Sequence, residues 1–276
     1  MVKNFQIKQQ GLDLNKRFGI LLARQRSGTG ALGTILDKHS QIKYLGEIFH
    51  PGNVGSAHNF FTYKLEAVKK DPELMLPERG LELLNGFLEW KAEVIKDQLP
   101  VIDVKYSSLH HLTSPWLEPA ARPALLTHCI NHRLPIIHLT RENYLHGFVS
   151  GRLAEANKVW HARSETEIKV TSVEIDTEVL LSSFRQTRAS VELVRHWLGK
   201  RHFVYEVEYA NLFTPDGNFS DDVRVELEDL LDIDAFTDTT PVFVKQNKAP
   251  LTESIKNYEQ VFDALKDTEY VWMLET

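Results

Sequence analysis

The chain has 276 residues, of which 42% are hydrophobic and 25% are charged, and its formal net charge at pH 7 is −6. This composition is typical of a globular protein with a substantial core, and the negative charge argues against general binding to nucleic acid. A single cysteine, Cys129, excludes an internal disulfide framework and a cysteine-rich metal site. Because the sequence has no apolar run long enough for a membrane span and residues 1–17 lack a signal-peptide core, we expect a cytoplasmic protein.

The first predicted unit is a strand, a polar turn and a helix. The apolar run at 18–23 predicts a buried strand, and the apolar periodicity at 31–36 predicts a helix. The first amides of a helix have no acceptor within it, and the helix dipole is positive at that end. We therefore expect a phosphate-bearing ligand to bind the turn at 26–30.

The rest of the chain alternates strands with helices. Further strands are predicted at 42–45, 101–104, 135–139 and 202–207. Helices are predicted within 60–98, with an amphipathic stretch at 81–95, and at 123–132, 144–160, 176–198, 221–231 and 251–265. This alternation predicts one α/β domain over 1–276, a parallel sheet flanked by helices, with a lead segment at 1–16 and an irregular basic segment at 242–250.

Polar side chains follow four of the predicted strands. Arg26 and Ser27 follow the first, Glu47 the second, Lys105 the third and Arg141 the fourth. In parallel sheets, ligands bind beyond the carboxyl ends of the strands. With the second strand beside the first, about 4.8 Å away, Arg26 and Glu47 would reach the same space. The pattern indicates a site for an anionic donor and a hydroxyl acceptor.

The glycines of the turn allow a different interpretation. Gly28, Gly30 and Gly33 match the G-x-G-x-x-G fingerprint of dinucleotide-binding proteins, and Glu47 stands near the end of the next strand. An ATP-binding Walker loop is excluded, since no Lys-Ser or Lys-Thr follows Gly33. The arginines beside the turn favour group transfer, in which a fixed cation stabilises charge on the bridging oxygen.

Longer stretches of the chain resemble a known family. Residues 26–39, followed by 44–47, resemble the opening of sulfotransferases that use 3′-phosphoadenosine 5′-phosphosulfate (PAPS). Residues 137–150 resemble their 3′-phosphate segment, and residues 245–251 also agree. The similarity is greatest to the bacterial carbohydrate and nodulation-factor type and to the tyrosylprotein type. Gly30 departs from the family pattern, because a second threonine is usual at that position.

The resemblance implies a P-loop-like sulfotransferase fold, with PAPS as donor, 3′,5′-ADP as product and no metal. It assigns the donor's phosphosulfate to Arg26, Ser27, Gly28, Thr29, Gly30 and Ala31, and the rest of the donor to Arg141, Ser150 and Lys248.

Three residues receive catalytic roles from the resemblance. Arg26 would bind the bridging oxygen, Lys105 the sulfuryl oxygens, and Glu47 would be the general base. His50 and His110 are alternative bases. The acceptor would be a hydroxyl of a sugar, glycolipid or small metabolite, bound on the side of residues 52–100.

Two other functions remain open at this point. One is a nicotinamide-dependent oxidoreductase that uses the glycines at 28–33, and the other is a nucleotide-binding protein without transfer activity. Trp160 is expected in the core. The sequence predicts no oligomeric state.

Overall fold

Five parallel strands form a single sheet in the described part of the chain. The structure is a computed structural model that describes residues 18–56, 58–112, 121–160, 165–240, 242 and 249–275. The strands are β1 (Gly19–Ala23), β2 (Ile42–Gly46), β3 (Leu99–Lys105), β4 (Ile136–Thr140) and β5 (Val204–Glu208), and their order is β2-β3-β1-β4-β5. All neighbouring strands are parallel, which confirms the predicted α/β class.

Helices cover both faces of this sheet. They are α1 (Thr29–Asp37), α2 (Phe60–Lys70), α3 (Gly80–Trp90), α4 (Ala92–Ile95), α5 (Ala124–Asn131), α6 (Tyr144–Asn157), α7 (Thr177–Leu198), α8 (Asp221–Leu231), α9 (Leu251–Ser254) and α10 (Tyr258–Leu265). α1 and α8 share one core with the sheet, whereas α3, α5 and α7 share the core on the other face. A third core joins α6 and α7 to α9 and α10. Within the described ranges, no helix is long and apolar enough to cross a membrane.

The strand register aligns the carboxyl ends that carry the predicted site. Ala23 at the end of β1 lies opposite Lys105 on β3 and Leu139 on β4. The pairing of β2 with β3 shifts register between Tyr44 and Gly46, and Gly46 has a φ of 67°. This irregularity ends β2 just before Glu47. Because the strands are parallel, the residues that follow β1, β2, β3 and β4 lie at the same edge of the sheet.

Several predicted helices are shorter or divided. The region 60–98 contains α2, α3 and α4. Short 3₁₀ turns at Pro72–Met75 and Pro77–Arg79 separate α2 from α3, and Lys91 separates α3 from α4. Prolines stop the longer helix, because each lacks a backbone donor and restricts the residue before it. The helix expected over 144–160 ends at Asn157, where Lys158 adopts a left-handed conformation.

The helix predicted over 251–265 is two helices, α9 and α10. Ile255 leaves the helix to form a bridge with Val173. The Asn257 side chain accepts a hydrogen bond from the Ile175 amide (2.9 Å) and donates one to its carbonyl (2.8 Å). Tertiary pairing with residues 173–175 therefore interrupts an otherwise helical pattern.

Candidate functional site

The turn between β1 and α1 presents an open helix N-terminus. Gly28 caps α1 in a left-handed conformation, φ 96°, and the first turn of the helix contains no acidic residue. A Cβ on Gly28 would lie 2.3 Å from the ring of Tyr209, so a side chain is excluded at this position. The amides of Gly28, Thr29 and Gly30 have no acceptor within the helix. Together with the helix dipole they form a site suited to an anion.

Arg26 and Arg141 meet beside this turn. The Arg26 guanidinium donates hydrogen bonds to the Ser150 hydroxyl (2.6 Å) and to the Trp160 carbonyl (2.9 Å). Arg141 donates to the backbone carbonyl of Arg26 (3.1 Å), and its guanidinium lies 4.7 Å from the centre of the Tyr209 ring. The residues predicted for the two phosphates of the donor thus form one continuous basic surface.

Burial lowers the pKa of both guanidinium groups. For Arg26, burial is the largest cause, and the neighbouring charge of Arg141 lowers the pKa further, whereas Glu47 acts weakly in the opposite direction. For Arg141, burial again dominates. Arginine stays protonated in proteins, so two like charges are held close together with reduced hydration. A bound anion would relieve this repulsion.

A cleft of about 280 Å³ opens beside the arginines, between the turn, α6 and α7. Among the described residues, its wall includes Arg24, Arg26, Arg141 and Arg152, and one carboxylate, that of Glu155. That carboxylate lies 3.1 Å from the Arg152 guanidinium. The remaining excess of positive charge makes the cleft complementary to an anionic ligand.

Trp160 lies on the wall of this cleft, with 55% of its surface exposed. The Arg26 guanidinium lies 6.0 Å from the centre of its ring. The expectation of a core position for Trp160 is therefore wrong. The helix α6 ends at Asn157, before Trp160.

On the other side of the turn, Lys105 connects Thr29 to Glu47. The Lys105 ammonium donates to the Thr29 hydroxyl (2.6 Å) and lies 3.2 Å from a carboxylate oxygen of Glu47. β3 lies between β1 and β2, so the expected direct adjacency of those two strands is wrong. Glu47 is therefore two strand spacings from the turn, about 10 Å, and Lys105 occupies the space between.

The sequence interpretation missed Asp103 and Tyr44. Asp103 is 2% exposed, and both of its carboxylate oxygens accept from the Lys105 ammonium, at 2.6 and 2.7 Å. The Tyr44 hydroxyl also donates to Asp103 (2.9 Å). A charged residue inside an apolar strand, two positions before Lys105 and thus on the same face, was the available signal.

Gly33 has a packing role in this arrangement. A Cβ on Gly33 would lie 2.3 Å from the ring of Tyr44, so the glycine allows Tyr44 to pass between α1 and the sheet. The third glycine of the fingerprint is thus explained by the contact that brings the Tyr44 hydroxyl to Asp103.

The alternative bases, His50 and His110, make local contacts. His50 is exposed, and its Nδ1 accepts from the Gly52 amide (3.1 Å) at the start of a short 3₁₀ turn. His110 is exposed, and its ring centre lies 4.0 Å from that of His111. Lys248 lies outside the described residues.

A second network, also missed, lies on the opposite face of the sheet. His138 is fully buried in β4, with Nδ1 2.8 Å from Glu206 and Nε2 hydrogen-bonded to the Tyr106 hydroxyl. Arg195 on α7 lies 2.7 Å from Glu206 and 2.9 Å from Glu142. These contacts tie together the carboxyl ends of β3, β4 and β5 beneath the cleft.

Comparisons with known proteins add little to this geometry. No family model and no curated protein matches the chain. Among solved structures, it is similar to the sulfotransferase domain from the Synechococcus PCC 7002 olefin synthase, at 14% identity, over 79% of this chain and 73% of that one, with a TM-score of 0.37. Identity and TM-score are both too low for this likeness to inform on activity.

Proposed function

We propose that the protein is a sulfotransferase that moves the sulfuryl group of PAPS to a hydroxyl of a sugar, glycolipid or small metabolite. One observation carries the proposal. At a single edge of the sheet, an open helix N-terminus lies between a half-buried arginine pair on one side and a lysine–carboxylate pair on the other. Transfer between two oxygens needs anion binding and a proton acceptor in adjacent places.

The donor would lie across the turn and the arginine pair. Its phosphosulfate would meet the amides at 28–30, with the side chains of Ser27 and Thr29, and its 3′-phosphate would meet Arg141 and Ser150. Lys105 already donates to the Thr29 hydroxyl, so the hydroxyl hydrogen points away from Lys105 and is available to a phosphate oxygen. The arginines supply the positive charge that a metal would otherwise provide.

The reaction would be an in-line displacement at sulfur. The acceptor oxygen forms a bond to sulfur while the bond from sulfur to the 5′-phosphate oxygen breaks, and 3′,5′-ADP leaves. Arg26 would stabilise charge on the departing oxygen, and Lys105 on the sulfuryl oxygens. Glu47, with 27% of its side chain exposed, would accept the proton of the acceptor hydroxyl.

The nicotinamide-dependent alternative receives less support. In dinucleotide-binding sheets β2 lies beside β1, whereas here β3 lies beside β1 and separates it from β2. The acidic residue after β2 would hold a ribose in that fold, but Glu47 faces the Lys105 ammonium. This strand order argues against the fingerprint interpretation of Gly28, Gly30 and Gly33.

The decisive experiment compares ligands by thermal stabilisation, since a ligand that binds only the folded state raises the melting temperature. We expect 3′,5′-ADP and PAPS to stabilise the protein more than NAD does. Sulfate transfer from PAPS to a panel of hydroxyl acceptors then separates an enzyme from a nucleotide-binding protein without activity. Stronger stabilisation by NAD would overturn the proposal.

A further inference from the structure

We propose that Asp103 is a positioning residue that fixes the Lys105 ammonium at the start of α1. A donor that binds then displaces Glu47 from this ammonium, and the other contacts of Lys105 remain. This inference rests on the proposed function. Asp103 itself is covered by Tyr44 and Lys105, so it acts through Lys105 and does not touch the substrates.

The first argument is the geometry around the ammonium. Its three N–H groups are shared among four oxygens, two from Asp103 at 2.6 and 2.7 Å, one from Thr29 at 2.6 Å and one from Glu47 at 3.2 Å. The contact with Glu47 is the longest of the four. An incoming sulfuryl oxygen would therefore replace Glu47 rather than Asp103 or Thr29.

Burial gives the second argument. The Asp103 and Lys105 side chains are 2% and 4% exposed, whereas that of Glu47 is 27% exposed. A buried charge that loses its partner is strongly unfavourable, so the contact between Asp103 and Lys105 persists when a ligand binds. Glu47 can instead turn to solvent or to the acceptor hydroxyl.

Rigidity gives the third argument. A lysine side chain has four flexible bonds and no fixed direction of its own. Asp103 is held in turn by the Tyr44 hydroxyl, and Tyr44 occupies the space above Gly33. The ammonium is thus placed by three rigid elements, α1, β3 and the edge strand β2, before any donor arrives.

Charge balance gives the consequence for the reaction. The carboxylate of Asp103 neutralises the Lys105 ammonium. With Glu47 added, these three side chains have a net negative charge. Binding of the anionic donor therefore depends on Arg26 and Arg141. When the sulfuryl group replaces Glu47 at Lys105, the carboxylate is released to accept a proton. Binding of the donor would thereby prepare the base.

The test is a double-mutant cycle with Asp103→Asn and Lys105→Met, in which kcat and the affinity for 3′,5′-ADP are measured. We expect Asp103→Asn to lower kcat about tenfold or more, as mispositioned groups do, with 3′,5′-ADP affinity nearly unchanged. In the Lys105→Met background, the same substitution should have little further effect. Additive losses in the cycle, or an unchanged kcat in Asp103→Asn, would overturn the inference.

Asp37→Asn is the matched control. Asp37 also faces a lysine, Lys43, at 3.4 Å, but it is exposed and at the far end of α1. Its substitution should leave kcat unchanged. If Asp103→Asn does not fold, the double variant replaces it, because that variant carries neither buried charge. If the kcat of the double variant equals that of Lys105→Met, the inference is supported; a much lower kcat of the double variant contradicts it.

A spectroscopic measurement separates this inference from the proposed function. The hydrogens of a held, buried ammonium exchange slowly with water, so ¹⁵N NMR of the lysine side chains should show a signal that Lys105→Met removes. Asp103→Asn should also remove it, and Asp37→Asn should not. Absence of that signal from the wild-type protein would overturn the positioning role even if PAPS is the donor. If the signal is present but no sulfate is transferred from PAPS, the positioning of Lys105 is supported and the proposed reaction is rejected.

Discussion

Arg141 donates a hydrogen bond to the backbone carbonyl of Arg26 over 3.1 Å. Arg26 has a φ of 66°, which is uncommon for a residue with a side chain and persists only when its surroundings maintain it. The residue proposed to bind the 3′-phosphate therefore also holds the turn proposed to bind the 5′-phosphate. This bond would connect occupation of one part of the proposed donor site to the shape of the other part.

The first prediction concerns both roles of Arg141. Arg141→Ala should abolish most of the stabilisation by 3′,5′-ADP and also lower the stability of the ligand-free protein by about 1 kcal/mol, since a hydrogen bond is lost. Differential scanning fluorimetry across a series of 3′,5′-ADP concentrations measures both effects. Arg185→Ala on the exposed surface of α7 is the control and should change neither. Unchanged 3′,5′-ADP binding in Arg141→Ala would refute its place in the donor site.

Arg26→Ala should reduce turnover far more than donor binding. Its charge matters most when the bridging oxygen becomes negative, and interactions made mainly in the transition state appear in kcat. Steady-state kinetics with varied PAPS provide the measurement. Arg152→Ala, on the same cleft wall but paired with Glu155, is the comparison and should have a small effect on kcat. A normal kcat with only a raised KM for PAPS would mean that Arg26 anchors the ground state.

Glu47→Gln should retain 3′,5′-ADP binding and lose about two orders of magnitude in transfer, on the scale of general-base catalysis. Glutamine keeps the shape of the side chain but cannot accept the proton. Transfer rates are compared with those of His50→Ala and His110→Ala. A large loss of transfer rate in one histidine variant, together with a near-normal transfer rate for Glu47→Gln, would assign the base to that histidine.

Gly33→Ala should destabilise the protein by about 1–3 kcal/mol, the usual cost of overpacking. The added methyl group would meet the Tyr44 ring at 2.3 Å. Gly147→Ala is the matched control, because this helical glycine has its nearest neighbour at 3.7 Å and alanine favours helix. Chemical denaturation of both variants measures the difference. Equal stability of the two variants would contradict the packing role of Gly33.

Glu206 should make stability dependent on pH. Burial alone would raise its pKa, but hydrogen bonds from His138 and Arg195 outweigh burial and lower the pKa from 4.5 to about 2. Its stabilising effect is therefore complete above the unfolded value of 4.5 and is lost as the pH falls towards 2. The melting temperature of Glu206→Gln should lie below that of the wild type at pH 6, and the gap should narrow between pH 4.5 and 2.

Glu142→Gln controls for that experiment, since it removes a carboxylate from the same arginine without changing the contact to His138. It should cost less stability at pH 6 than Glu206→Gln does. A gap between wild type and Glu206→Gln that stays constant down to pH 2 would contradict the lowered pKa.

The amino-acid sequence determined the local elements and the chemistry of the turn. Apolar runs such as 18–23 and helical periodicity such as 221–231 depend on neighbours in the chain, and both appear where predicted. The glycines and arginines at 24–33 likewise predicted an anion site, because a strand, a turn and a helix N-terminus are contiguous in sequence. The structure has an open helix N-terminus at this turn.

Tertiary structure decided which strand lies beside which, and with it the composition of the site. The insertion of β3 between β1 and β2 places Lys105 between Thr29 and Glu47 and brings Asp103 beneath them. Apolar content separates the fully buried β1 and β4 from the partly exposed β2 and β5. It does not encode which strand lies beside which, since each connection is long enough to reach either neighbour. For the same reason the contact between His138 and Glu206, 68 residues apart, followed only from the pairing of β4 with β5.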